Sequence, residues 1–311
     1  MSVAHIFFLL TSVVLSSHCF AATLYKYRDE NGRWVMTDKK PAQKGYEQQA
    51  LLYTQADAKV TVVNRGSKER PMLYAVNQTF GPAQVWLELK ETDNVKWSNK
   101  NELEWLVPGP GDMFLLQLQA KDEGKSWRYE IIPHFALGVP TQVDSSSTPI
   151  LGLPVLGGPF PISQSFKGEA SHSSHIQAYY AVDIVVPENT PIVAVKSGRV
   201  MDVERNFSRS GWSEEYADEA NYVRVLHDDD TMAVYAHLRA DGIEVVPGQH
   251  IKTGQILAYS GNTGFSTGPH LHFSLQINSN KLLQSIPFQF VGVGREPVVG
   301  DLILHTADKK R

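Results

Sequence analysis

The sequence predicts a mainly β protein. Three observations carry that expectation: tracts in which apolar residues alternate with polar ones, turn residues at short intervals between those tracts, and no long stretch of helical periodicity. At 311 residues the chain exceeds an ordinary domain of about 100 to 200 residues, so more than one core is expected. Its 29 Lys and Arg are interspersed with 33 Asp and Glu without a basic stripe, which gives no electrostatic footprint for nucleic acid.

Residues 1–21 read as a signal peptide. An apolar run from Ile6 to Leu15 is followed by small residues, with Ala21-Ala22 suited to cleavage after Ala21. The run is shorter than the roughly 20 apolar residues that span a bilayer, so export without stable membrane insertion is expected. No Lys or Arg lies between Met1 and the run, and Leu15-Ser16-Ser17-His18-Cys19 is a faint lipoprotein-like stretch in which His18 argues against lipidation. Cys19 is the only cysteine and would leave with the signal. The mature chain is then expected to lack thiols, so any metal must be held by His and carboxylate groups. These features suit a periplasmic or secreted protein of the bacterial cell envelope.

Residues 22–48 are expected to form a β-hairpin module. Leu24-Tyr25-Lys26-Tyr27 and Arg33-Trp34-Val35-Met36 flank Asn31-Gly32, a strong hairpin signal. The segment resembles a short domain of unknown function found at the mature N-terminus of secreted bacterial proteins, and it carries no evident chemistry.

Residues 49–140 are expected to form an immunoglobulin-like β-sandwich. Period-two tracts place Val60 and Val62, then Val85, Leu87 and Leu89, then Phe114, Leu116 and Leu118 on inward faces. Turn signals at Asn64-Arg65-Gly66, Phe80-Gly81-Pro82, Pro108-Gly109-Pro110-Gly111 and Asp122-Glu123-Gly124 separate the strands at sandwich-like intervals. Trp86, Trp105, Trp127 and Tyr129 are read as core or sheet-face residues rather than a glycan-stacking platform. Residues 141–160, rich in Pro, Gly and Ser, read as a linker. The last domain, 161–311, again shows short apolar runs between turn residues, as in Ala181-Val182-Asp183-Ile184-Val185-Val186, and is expected to be antiparallel sheet.

The chemistry concentrates in that domain. His270-Leu271-His272-Phe273 reads as a strand whose period puts both imidazoles on one face and Leu271 and Phe273 in a core. The glycine-rich lead-in Gly261 to Pro269 delivers the strand abruptly, which suits an exposed and preorganised ligand.

These residues, together with Tyr180-Ala181-Val182-Asp183-Ile184, Pro187 to Ile192, Ser197-Gly198-Arg199-Val200, Asn221-Tyr222-Val223, Val234-Tyr235-Ala236-His237-Leu238 and Val246-Pro247-Gly248-Gln249, resemble the LytM/lysostaphin-type metallopeptidases. The resemblance runs from about Ser163 to Ile277. It implies a zinc endopeptidase domain acting on the peptide part of bacterial peptidoglycan, with Zn2+ held by an upstream His, by Asp183 and by His272. Such a donor set leaves a position for a water whose pKa a catalytic zinc lowers toward about 7. Many relatives have the first His four residues before the Asp, where this chain has Tyr179. Branches with a Ser-His in a longer loop point to His172, and His175 is the alternative. The resemblance further implies His270 as general base and His237 as a holder of the water or stabiliser of the oxyanion.

His134, His227, His250 and His305 lie outside the motifs and read as exposed or hydrogen-bonded structural residues. Asp228-Asp229-Asp230 reads as a solvated hairpin turn rather than a calcium site. The stretch Glu204 to Ala220, with Phe207, Trp212 and Tyr216, is long for its place and is read as a wall of the substrate groove. The expected function is an exported zinc endopeptidase of peptidoglycan cross-links or stem peptides. Its rivals are an inactive regulator of cell-wall amidases and a wall-binding module that uses the groove without cutting.

Overall fold

A computed structural model describes residues 20–28, 34–37, 47–53, 59–98, 103–142, 148–168 and 171–305. The apolar run of the expected signal peptide, the Asn31-Gly32 turn and residues 143–147 of the expected linker lie outside the described residues. The chain is built almost wholly of strands, and the longest α-helix among the described residues is Ser171–Ser174. No helix among them is long and apolar enough to cross a membrane.

Near the N-terminus, Phe20–Arg28 pairs antiparallel with Trp34–Thr37, as the hairpin signal predicts. It also pairs along its other edge with Glu47–Tyr53. The module is therefore a three-stranded sheet extending past the expected limit at residue 48. A lone two-stranded hairpin is at best marginal in water, which is the physical reason for the third strand.

The middle region holds two sheets around one core. One runs Val60–Asn64, Met72–Asn77, Gly111–Ala120, Val95–Trp97, and the other Arg128–Leu137, Ala83–Asp93, Glu104–Val107. Val60, Leu73 and Leu116 from the first meet Val85, Leu87 and Trp105 from the second in one apolar cluster. The expected alternation fails at one point. Leu73 pairs with Leu116 but Tyr74 pairs with Phe114, so Leu115 is the extra residue of a β-bulge. The bulge turns Phe114 outward onto Tyr74, ring centroids 5.4 Å apart, while Leu115 becomes buried. The aromatics behave as expected: Trp105 is in the core, Trp127 and Tyr129 pack against it, and Trp86 stacks on His134.

The C-terminal region is organised on a nine-stranded sheet. Its central run is Gly198–Glu204, Tyr222–Leu226, Met232–Ala236, His270–Asn278, Val182–Val185 and Gly157–Gln164. A three-stranded sheet of Pro191–Val193, Ile256–Ser260 and Leu238–Ile243 contributes Ile192, Leu257 and Ala258 to the same core. Its aromatic centre is Tyr235, Phe273, Phe288 and Phe290, all nearly inaccessible to solvent. The stretch 150–160, expected as linker, belongs to this body. Ile150–Leu151 pairs with Gln289–Phe290, and Leu151 and Val155 are buried in the core. The Pro and Gly content here shapes a packed entrance, because apolar Leu151 and Val155 find partners that a composition reading does not see.

The middle and C-terminal regions share a buried junction. Met201 and Met232 of the large sheet join the core cluster of the middle region. Phe80 donates its N–H to the Met201 carbonyl at 2.8 Å, and its ring lies against Gly248, which has a φ of 86° and no room for a Cβ there. Gln84 is buried and accepts hydrogen bonds from Asn278 Nδ2 at 3.0 Å and the Lys281 N–H at 2.8 Å. At the other end, Lys59 Nζ donates to the Val203 carbonyl at 2.8 Å and lies 3.5 Å from Asp202 Oδ2.

Two measurements test these packing arguments. The Tyr235 hydroxyl is fully buried and accepts the Val195 N–H at 2.9 Å. Tyr235→Phe should therefore cost about 1 to 3 kcal/mol in denaturant unfolding, because it strands a buried donor. His227 is buried in the turn before Asp228, its Nδ1 donating to the Ser197 carbonyl at 2.8 Å. Desolvation holds its pKa below the ordinary value, reinforced by Lys196 and opposed by the Ser197 carbonyl. The unfolded chain takes up that proton near pH about 6.5 while the fold resists it. Stability should be unaffected above that pH, decline as pH falls from about 6.5 toward the lower folded pKa, and level off below it. Thermal midpoints across this range should show a shallower acid decline in His227→Asn.

Candidate metal centre

Register builds the site. Val182–Val185 lies antiparallel to His270–Asn278 with Asp183 opposite His272 and Val185 opposite His270. The apolar neighbours Val182, Ile184, Leu271 and Phe273 are fully buried, so the period of two turns Asp183, His270 and His272 to the opposite face. On the other side Ala236 stands opposite His272. Its small side chain leaves the face open, and His237 follows at the strand end with a φ of 63°. That left-handed residue redirects the chain into Leu238–Ile243 and brings the His237 ring within 4.5 Å of the His270 ring, centroid to centroid.

The Asp183 carboxylate is the hub. Its Oδ1 lies 2.9 Å from His272 Nδ1, 3.3 Å from His172 Nε2 and 3.9 Å from His270 Nε2. Burial alone would raise the Asp183 pKa, but the imidazoles of His172 and His272 outweigh it and hold the carboxyl well below its ordinary value. Desolvation lowers the His272 pKa, with Asp183 opposing. Desolvation also takes His237 down to about 3, helped by the neighbouring imidazoles of His270 and His272.

Backbone carbonyls decide which nitrogen of each ring faces the hub. A carbonyl can only accept, so Nδ1 of His172 carries a proton toward Ser165 O at 3.0 Å. By the same rule His237 Nδ1 donates to Thr263 O at 2.6 Å, and His270 Nδ1 to Gly268 O at 2.9 Å. The second nitrogen of each ring is thereby left as a lone-pair donor, the second-shell arrangement that metal-ligating imidazoles use.

The donor chemistry fits a divalent metal. His172, Asp183 and His272 offer ligand atoms that all lie within 4.8 Å of one another. His172 Nε2 is fully buried and has no hydrogen-bond partner among the described residues, which is costly unless something else fills its lone pair. Two imidazoles and one carboxylate form the borderline donor set that suits zinc and leaves coordination free. Of the two histidines left open by sequence, His172 joins this group and His175 does not. All five expected site residues, His172, Asp183, His237, His270 and His272, meet in one place.

Sequence reading missed the supports: Ser165, Thr263, Ser266 and Gly268, which hold the rings through main-chain carbonyls and the Ser266 hydroxyl, 3.2 Å from His270 Nδ1. The glycine-rich lead-in carried the signal, but was read only as a device for delivering the strand. The stretch 204–220 reaches the same lead-in. Ser210–Gly211 pairs parallel with Gly264–Phe265, and Asn221, fully buried, holds the Phe207 backbone at 3.0 and 2.7 Å and the Leu238 carbonyl at 3.1 Å.

Comparison with known proteins points the same way. Residues 177–283 match Peptidase family M23, and residues 12–59 match a domain of unknown function, DUF4124. An uncharacterized metalloprotease of Haemophilus influenzae is 33% identical over 131 residues, 40% of this chain and 25% of its own length. Lysostaphin of Staphylococcus simulans is 35% identical over 102 residues, 32% of this chain and 18% of its own length. Peptidoglycan DD-endopeptidase ShyA of Vibrio cholerae is 32% identical over 131 residues, 40% of this chain and 28% of its own length. The matched region thus spans 18% to 28% of these relatives' own length, and less than half of this chain.

The geometry separates His172 from His175 in a direct assay. Metal titration of the metal-free protein should show His172→Ala weakening divalent-metal binding at least about 100-fold, and His175→Ala leaving it near wild type. Equal losses in both would remove the assignment.

Proposed function

Residues 177–283 form a domain of peptidase family M23, and from that premise we propose that the chain is a zinc-dependent endopeptidase hydrolysing peptide cross-links or stem peptides of bacterial peptidoglycan. One observation carries the proposal: a single carboxylate oxygen, Asp183 Oδ1, is flanked by three imidazoles, with a fourth ring, that of His237, tilted against His270 beside them. His172 Nε2, the Asp183 carboxylate and His272 Nδ1 would hold the metal. Zinc, when bound there, supplies Lewis-acid polarisation of the scissile carbonyl and a water acidic enough to ionise near neutral pH.

The remaining residues act on protons. His270 donates from Nδ1 to Gly268 O, so its Nε2 can take the proton of the attacking water and pass it to the amide nitrogen as the C–N bond breaks. His237 is neutral at neutral pH, and its one N–H is donated to Thr263 O. Its Nε2 can therefore only accept, which favours holding the water over donating to an oxyanion. The Thr263 and Gly268 carbonyls fix both tautomers before substrate arrives, a preorganisation that avoids reorientation during reaction.

We propose three units, an N-terminal sheet within residues 20–53, a middle unit within 59–140 that is an immunoglobulin-like sandwich, and a C-terminal unit within 148–305. The middle unit's two facing sheets and shared core support that reading. Export to the periplasm or beyond is proposed from the apolar N-terminal run and suits the substrate. The rival reading as an inactive amidase regulator is disfavoured because the His172, Asp183 and His272 group is intact.

Zinc analysis paired with hydrolysis of cross-linked peptidoglycan tests the proposal. Wild type should bind zinc and release new peptide termini. His272→Ala should lose metal and activity together, whereas His270→Ala should keep the metal and lose about 100-fold or more in kcat. Zinc binding without any new termini in wild type would reject cleavage.

A further inference from the structure

Trp212 is 57% exposed, yet it belongs to a segment fastened to the site at several points. Gly211 pairs with Phe265, Gly264 donates to the Arg209 carbonyl at 2.8 Å, and Ser266 donates its N–H to the Gly211 carbonyl at 3.3 Å. Ser266 is also the residue whose hydroxyl lies 3.2 Å from His270 Nδ1. The Trp212 ring lies over the Phe265 ring, centroids 4.5 Å apart and tilted by 30°. Phe265 covers one face, so the exposure falls on the rest of the indole. Behind it, a Cβ on Gly211 would come within 2.4 Å of the Tyr216 ring, so this backbone is packed closely against its own loop.

An isolated surface aromatic needs no explanation. This one differs in being backed by a second ring and placed one hydrogen-bonded residue from a site imidazole. The same loop carries charged groups: Arg209 pairs with Glu219 at 2.7 Å and lies over the Tyr216 ring. A rigid aromatic face, on a loop that also carries a guanidinium and a carboxylate, matches the chemistry of a pyranose ring. The sugar's C–H face, made slightly positive by its oxygens, lies on the negative face of the indole, while its hydroxyls reach donors and acceptors at the edge. Stem peptides of bacterial walls, built of alanine, acidic and diamino acid residues, offer no comparable flat face.

We propose that Trp212, backed by Phe265, is a glycan subsite: it binds a pyranose of the strand that bears the stem peptide, and so directs the peptidase toward peptides still attached to sugar. The proposal rests on the peptidase reading for the second consequence but not for the first.

The test has two arms, both using the full chain. Binding of peptide-free glycan oligomers, followed by calorimetry, should be measurable in wild type and weakened about tenfold in Trp212→Ala, with Trp212→Tyr retaining most of it. This arm needs no cleavage and stands even if the peptidase reading fails. In the second arm, the ratio of kcat/KM for disaccharide-bearing cross-linked peptides to that for the same peptides stripped of sugar should fall about tenfold in Trp212→Ala. Zinc content and thermal midpoint confirm that both variants are folded and loaded. Glycan binding equal in wild type and Trp212→Ala, or absent from wild type, overturns the subsite, as does an unchanged ratio.

Discussion

The pairing of Val182–Val185 with His270–Asn278 is the constraint on which the rest depends. Its register sets Asp183 opposite His272 while Ile184 faces Leu271. Because side chains alternate across a sheet, a slip by one residue would carry Leu271 and Phe273 to the open face and drive both histidines inward. The aromatic packing of Phe273 with Tyr235, Phe288 and Phe290 makes that slip prohibitively unfavourable. Core packing therefore fixes the ligand geometry: hydrophobic side chains below the sheet hold polar ones above it.

What the sheet cannot fix is ring orientation, and main-chain carbonyls do that. Ser165, Thr263 and Gly268 each accept from the Nδ1 of a different histidine. Asp183 supplies the one negative charge among four imidazoles, and its depressed pKa expresses how strongly they favour the carboxylate form. Enclosure, aided by neighbouring imidazoles, lowers the pKa of both His237 and His272, and takes His237 down to about 3. Desolvation thus favours the neutral forms of His237 and His272.

Much of this was legible in the residues. Period two located the His270 strand and the inward Leu271 and Phe273, and paired strands followed from turn signals at Asn64 to Gly66 and Asp228 to Asp230. His172 could be named from a resemblance, but only tertiary structure could separate it from His175, because the Asp183 and His272 ligand atoms that His172 joins lie on other strands. The bulge at Leu115 was illegible, since Phe114, Leu115 and Leu116 are all apolar and alternation has no contrast there. Leu151 and Val155 were hidden by the Pro and Gly around them. The supports at Thr263 and Gly268 act through backbone atoms, which side-chain chemistry does not announce.

The junction at Met201, Met232 and Gln84 bears on modularity. Asn278, clasped by Gln84, closes the same strand that begins with His270, so the middle region grips the far end of the element that carries the site. Two methionines of the sheet complete the neighbour's core, and Phe80 of the neighbour seats on Gly248 in return. Shared side chains of this kind make the pair one cooperative unit rather than beads on a string. The C-terminal body is thereby not freely portable: recombination that moved it to a new partner would have to bring an apolar surface of matching shape, which restricts the architectures in which this version of the fold can be found.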